Sequence, residues 1–335
     1  MDVLTHVLAS FALTKLFFPR VPPEVLLAAL LAGTAADVDR LSVFAGPAVF
    51  FGAYRTYTHS ILAAVMIAAV AAVAAPFLWR KKGRAGFPFA RTLRVTGLAA
   101  IFHLATDVFD SDGATALWPF RGTRFALDWV ATFDTWILAT LLAGILVPVL
   151  FRLVTEEIGA RSKAPGGRVG ALIALIAITF YLAGRGVLHA NAEVLLDART
   201  YRGESPRRAA AFAESVSVFE WKAIVETERA LYQVNVSAKP GAAFFPDAAA
   251  AIYKPEGSAA LDAARDSEAA RLFLSLAEFP RATIQKTAGG YSCNFRDLRY
   301  AATGETETAV AVQVVLGPDG KVLHDEFVWE RELPR

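Results

Sequence analysis

Cysteine is almost missing from this chain: Cys293 stands alone in 335 residues. One thiol excludes an intramolecular disulfide and every cysteine-built zinc site, so a metal centre here has to come from imidazole and carboxylate. Excess charge is missing as well. The 34 Lys and Arg against 32 Asp and Glu leave a formal net charge of +2, with none of the basic excess that nucleic-acid binding requires. There is no nucleophile elbow, no phosphate-binding loop and no internal repeat. The N-terminal apolar run has no basic leader. It begins Met1-Asp2 and is broken by Arg20-Val21-Pro22-Pro23, which points to a retained segment and not a cleaved signal.

What the chain does have is apolar length. Hydrophobic residues make up 55% and charged residues 20%, and the balance shifts near residue 190. Before that point Ala, Leu, Val and Phe dominate; after it the charge density is ordinary. Crossing about 30 Å of hydrocarbon takes about 20 apolar residues in a helix. Residues 61–79, 130–151 and 169–188 meet that length, and 93–109 is a weaker fourth span. Residues 3–18 and 24–36 are shorter runs that suit a shallow hairpin. The expected architecture is an α-helical integral membrane bundle of about four to six membrane helices, residues 1–190, then a linker over 191–215 and a soluble α+β domain over 216–335.

Orientation follows from the basic loops. Arg80, Lys81, Lys82, Arg84, Arg91 and Arg94 lie between two spans without an acidic partner, which marks that loop as cytoplasmic. The loop with Arg152, Arg161, Lys163 and Arg168 is again net basic. A multi-pass inner-membrane protein with an extracytoplasmic C-terminal domain is therefore expected.

That topology gathers polar residues at the outer level. The stretch "IFHLATDVFDSDGATALWPF" puts His103 and Asp107 at i, i+4, on one helical face. Asp110 and Asp112 follow in the exit loop. His59 opens the 61–79 span just upstream, Asp37 and Asp39 end the 24–36 run, and His6 lies near the start of the first run. Ionisable groups within a membrane are costly and mark functional sites. His6, Asp37, Asp39, His59, His103 and Asp107 are the candidate metal ligands, and a divalent ion relieves the cost of burying the carboxylates. Zinc suits this donor set, with manganese and iron as alternatives. The competing readings are an interfacial His6, a helix start at His59 capped by Thr58, an interhelical His103–Asp107 pair, and a snorkelling Arg55. Asp134, His189 and His324 stand apart and read as structural.

The motifs "AADVDR", "YRTYTHSIL" and "HLATDVFDSDGATALWPF" resemble the YdjM-like family of inner-membrane metal-dependent hydrolases, distantly similar to zinc-dependent phospholipase C. The resemblance covers about residues 1–190 and rests on Thr5-His6, Asp37-x-Asp39, Thr58-His59-Ser60, His103-x-x-x-Asp107, Gly113 and Trp118-Pro119-Phe120. Arg40 and Tyr54 stand where many members carry His. The resemblance implies a metal-dependent hydrolase, with a phosphoester as the first choice of substrate. A site at the outer membrane–water interface suits a lipid or lipid-linked substrate and membrane lipids as partners. Metal-activated water is the expected nucleophile, with Asp39 or Asp110 as proton acceptor and Arg55 balancing substrate charge. The alternative is a transporter or metal sensor that uses the same His/Asp cluster for ion binding.

Beyond residue 195, "VFEWKAIVETERALYQVNVSA" alternates like strand, "SAALDAARDSEAARLFLSLAEF" is helical, and "GPDG" predicts a hairpin turn. Phe219 and Trp221 read as core aromatics.

Overall fold

The computed structural model describes residues 1–78, 88–157, 167–301 and 308–329. Arg80, Lys81, Lys82, Arg84, Arg161 and Lys163, on which the expected orientation leans, lie outside the described residues. The chain forms two compact units.

The first unit comprises residues 1–39, 55–187 and 213–218. Its helices are α1 (Val3–Phe17), α2 (Pro23–Ala32), α4 (Ile61–Leu78), α5 (Phe89–Asp107), α6 (Thr135–Glu157) and the greater part of α7 (Arg168–Asp197); α3 (Pro47–Ala53) belongs to the second unit. Asp2 caps α1 by accepting from the Thr5 N–H, and Pro23 occupies the first turn of α2. Among the described residues, three helices are long and apolar enough to cross a membrane: Ile61–Leu78, Thr135–Val154 and Arg168–Asp197. Helix α6 starts at Thr135, five residues after the expected 130, because the Asp134 carboxylate accepts from the backbone N–H groups of Trp136 and Ile137 and so sets the helix start. Thr58 does not cap α4. Ser60 does, its Oγ accepting from the Ala63 N–H.

These helices pack through small residues, as membrane helices do when close backbone approach replaces hydrophobic driving force. On α4 the buried positions are Ala64, Ala68, Ala72 and Ala75, and Thr96 of α5 donates to the Ala68 carbonyl at 2.9 Å. Helices α6 and α7 meet at Gly144 and Gly170, where a Cβ on Gly170 would lie 2.1 Å from the Gly144 oxygen. Val70 and Phe77 of α4, Phe151 of α6 and Phe180 of α7 remain exposed. Long apolar faces turned outward suit lipid as the surrounding medium.

The second unit comprises residues 40–54, 188–212 and 219–335. It has two four-stranded sheets, in the order β1 (Arg208–Ala213), β2 (Glu220–Glu226), β3 (Ala230–Ser237), β4 (Ala250–Tyr253), and β5 (Pro280–Thr287), β6 (Gly290–Asp297), β7 (Val310–Leu316), β8 (Val322–Trp329). Successive strands from β2 to β4 and from β5 to β8 pair antiparallel. The "GPDG" turn joins β7 to β8 as expected. The helical stretch after residue 258 divides into α8 (Ala259–Arg265) and α9 (Glu268–Leu276), because Ser267 caps the second helix by accepting from the Ala270 N–H. Trp221 is fully buried, whereas Phe219 is 38% exposed and only partly in the core.

Two parts of this unit depart from a simple division at residue 190. Residues 191–215, read as a linker, carry the last turns of α7 and strand β1. Residues 40–54 join the second unit because Phe51 of α3 stacks on Phe273 of α9 at 5.0 Å and meets Phe327 of β8 at 5.7 Å.

Candidate metal centre

Five of the expected ligands meet in the first unit, each delivered by a different local device. His6 lies in the second turn of α1, and the last turn of α5 carries His103 and Asp107. Asp37 and Asp39 lie on a 3-10 helix over Ala35–Ala45, and His59 sits in the turn before α4. All of them are buried, as are Arg55 and Asp110.

The geometry is organised around Asp107. Its Oδ2 lies 3.1 Å from His103 Nε2 and 3.2 Å from His59 Nε2, and those two nitrogens are 3.4 Å apart. Its Oδ1 lies 3.1 Å from His6 Nε2 and 3.0 Å from the Arg55 guanidinium, and it also meets the Met1 α-amino group. The rings of His6 and His103 lie tilted at 34° to each other with centroids 3.8 Å apart.

The opposite nitrogens of two imidazoles are committed. His103 Nδ1 donates to the Gly33 carbonyl at 2.8 Å, and a carbonyl can only accept. His59 Nδ1 lies 3.0 Å from Asp39 Oδ2, with Thr58 Oγ1 bridging the pair. Burial works against the charge on Asp39, yet His59, the Arg55 N–H and Thr58 together hold its carboxyl below the usual range. As neutral rings both histidines then direct Nε2 lone pairs toward Asp107. Fixing Nδ1 with a carbonyl or carboxylate is how proteins orient imidazole ligands to a metal.

These donors suit a metal. Around an ion bound at zinc–nitrogen lengths, tetrahedral ligand atoms are about 3.3 Å apart, and the three gathered here are 3.1, 3.2 and 3.4 Å apart. His6, His103 and Asp107 form one group able to hold an ion, and Asp37, His59 and His103 form a second that shares His103. Asp39 turns to the far side of His59. The two carboxylates of Asp37-x-Asp39 diverge as a helical spacing requires, yet both address the same histidine.

Arg55 does not snorkel. It is fully buried, and its two terminal nitrogens meet the two Asp110 oxygens at 3.2 and 3.0 Å as a bidentate pair. Its φ of 57° is in the left-handed region, a strained choice for a residue with a side chain. That conformation lets its N–H donate to Asp39 at 2.7 Å while its side chain reaches Asp107 and Asp110. Asp110 also accepts from the N–H groups of Asp112 and Gly113, and Asp112 accepts from Thr132. Among residues read as structural, Asp134 starts α6 and accepts from the Tyr181 hydroxyl at 2.9 Å. His189 lies against Trp221 at 5.3 Å, and His324 pairs with Glu326 on β8.

A scan of families places the chain. Residues 1–192 match the family described as YdjM inner membrane protein. The chain belongs to the YdjM family. Among curated proteins, YfhP of Bacillus subtilis (strain 168) is 24% identical over 326 residues, covering 94% of this chain and 91% of that one. No solved structure matches it. Where the resemblance gives many YdjM-like members two histidines, this chain sets the Arg40 guanidinium over the Tyr54 ring at 5.9 Å.

Gly33 and Thr58 were not expected at the site. The role of Gly33 is carried by its carbonyl, which no residue type announces. A Cβ at Gly33 would fall 1.9 Å from Ser10 Oγ and 2.9 Å from Ser10 Cβ, so Gly33→Ala must turn the Ser10 hydroxyl away and shift the α1–α2 contact slightly, which strains the carbonyl's bond to His103. Metal affinity is expected to fall about 10- to 100-fold, the usual effect of losing an orienting partner. Titration of metal into the purified variant checks this, and adding Ser10→Gly should restore affinity.

Proposed function

We propose that this YdjM family member is a membrane-bound metal-dependent hydrolase acting on a lipid or lipid-linked phosphoester at the outer membrane–water interface. The observation that carries the reading is the convergence of His59 Nε2 and His103 Nε2 on Asp107, with both Nδ1 atoms tied back. His6, Asp37, His59, His103 and Asp107 would hold the ion, and zinc fits the donor set. A divalent ion there supplies Lewis acidity and lowers the pKa of water toward neutrality.

The chain's own groups have distinct tasks in this reading. Asp39 holds the Nδ1 proton of His59 and orients the ring, which makes it a positioning residue more than a proton acceptor. Asp110 accepts from two N–H groups and a guanidinium and so anchors Arg55. Arg55 offsets negative charge beside the ligands, including that of a phosphate. The proposal keeps four to six helices in the bilayer, a cytoplasmic loop after α4 and an extracytoplasmic C-terminal unit. Helices α4 and α5, joined by that loop, both carry site residues at the ends away from it, which supports a site near one face.

The test is incubation of the reconstituted full chain with phospholipid vesicles, following release of phosphorylated headgroups. Release that is abolished by a chelator and restored by zinc is the expected result. Unchanged lipid, with tight ion binding and ion flux across the vesicle wall, would favour the transporter reading.

A further inference from the structure

The first unit has a half-open cavity of about 620 Å³ between α1, α5, α6 and α7. Along α1 it runs from Thr5 and His6 to Phe17, a span of about 18 Å at 1.5 Å per residue. The same length is lined on α7 from Leu172 to Ala183. Its walls include Leu13, Phe102, Leu141 and Leu175; of its polar residues Thr5, His6 and Thr106 belong to the end beside the metal centre, and Thr179 spends its hydroxyl proton on the Leu175 carbonyl of its own helix. A close-packed interior does not keep a space of this size for itself, and so apolar a lining gives water few partners.

Chemistry and surroundings narrow the occupant. A charged headgroup has few partners along these walls, whereas Phe17, Leu172 and Ile176 line the cavity and are also exposed on the outer face of the helices, where lipid is the surrounding medium. A flexible hydrocarbon chain entering from that side suits the lining. The length is close to half of the roughly 30 Å hydrocarbon core, so the space matches the depth of one leaflet. The cavity is also continuous with the metal centre: His6 lines its end, and His6 Nε2 is 3.1 Å from Asp107.

We infer that this cavity is the binding site for one acyl chain of a glycerophospholipid, with the lipid's headgroup linkage held at the His6 and Asp107 end. The position of the linkage rests on the hydrolase reading; acyl occupancy of the cavity does not. Trp129 helps to bound the site at that end. It is fixed there by a tilted ring contact with Phe109 at 5.4 Å, by the close approach of Gly186, and by the Arg185 guanidinium donating to its carbonyl at 2.8 Å. Ala9 on α1 and Ala105 on α5 also line the cavity, and enlarging either side chain would fill it from within.

The experiment uses full-length protein in phosphatidylcholine vesicles doped with a phospholipid bearing a photoreactive group on one acyl chain, with adducts mapped by mass spectrometry. Adducts on inward positions such as Leu13, Leu141 and Leu175 are expected. Ala9→Phe should lower them about tenfold, the effect of denying two methylenes their burial, and Ala105→Phe, at an exposed position, should do the same with little risk to folding. Labelling of the outward residues Val70 and Phe77 should not change in either variant. His59→Ala should keep the cavity adducts while losing bound metal, so a failed hydrolase reading leaves this result standing. Adducts confined to the outward residues, or cavity labelling that both Phe variants leave intact, would overturn the inference. Preferential cavity labelling by a photoreactive polyprenyl phosphate would overturn the acyl assignment.

Discussion

Arg55→Met is expected to destabilise the membrane unit by about 3 to 5 kcal/mol, the range for leaving a buried charge without its partner. The size follows from what Arg55 holds. Its guanidinium lies 3.0 Å from Asp107 and binds Asp110 through two nitrogens, and each of these side chains is fully buried. Removing the guanidinium leaves Asp107 and Asp110 with the Met1 α-amino group as the one cation contacting both, one charge short in a place that cannot solvate them. Arg55→Lys should be almost as damaging, since an ammonium cannot span both oxygens of Asp110. The double variant Arg55→Met with Asp110→Asn should recover a large part of the loss, because the uncompensated charge goes with its partner. Thermal unfolding of the detergent-solubilised variants measures all three. Equal stability of Arg55→Met and the unsubstituted chain would mean that the buried network is not formed.

Asp107→Ala is expected to have the larger functional effect. Asp107 is the group on which three imidazole Nε2 atoms converge, so its loss removes a ligand and the centre of the constellation together. Metal content should fall below a tenth of the unsubstituted level, and the proposed hydrolysis should fall with it by about three orders of magnitude or more, the scale for disabling metal-assisted chemistry. Asp107→Glu should not rescue, since an extra methylene pushes the carboxylate into His59 and His103, whose Nδ1 atoms are tied back and cannot retreat. Asp112→Ala, further along the same loop, is the control; its carboxylate accepts from Thr132 and belongs to neither candidate ion group.

The contrast between these two aspartates shows what the sequence could express. His103 and Asp107 were legible because a helical spacing puts them on one face of an otherwise apolar segment, where charge without function is too costly to keep. His6, Asp37 and His59 were legible only after the topology was drawn, because hydropathy decided which ends of which helices lie level. The division of labour between Asp37 and Asp39 was not legible. The 3-10 helix gives Asp39 to His59 Nδ1 and places Asp37 in a candidate ion group with His59 and His103, and nothing in "DVD" says which carboxylate takes the ring nitrogen that faces away. Gly33 could not be found either, since it acts through a carbonyl and its small size answers to Ser10 on a different helix. Arg55 read as a choice between snorkelling and clamping; its left-handed backbone, which turns the N–H to Asp39 and the side chain to Asp110, is a tertiary property.

The fold divides along the same line. Long apolar runs declared α4, α6 and α7 because the bilayer sets a length that sequence can be measured against. Their ends were less legible: α7 continues to Asp197 through "HANAEVLLD", which is no longer apolar enough for a span but still has strong helix formers. Residues 40–54 sit between two site residues in sequence, yet Phe51 finds its aromatic partners in Phe273 and Phe327, more than two hundred residues away. No local pattern encodes a contact of that range.

The most direct test of the central claim is elemental analysis of the full chain, purified in detergent without chelator, beside His59→Ala and Asp107→Ala. The account predicts a bound divalent metal, zinc foremost, in the unsubstituted protein and its loss from both variants while the helical signal is kept. Metal retained at the same level in both variants would contradict it.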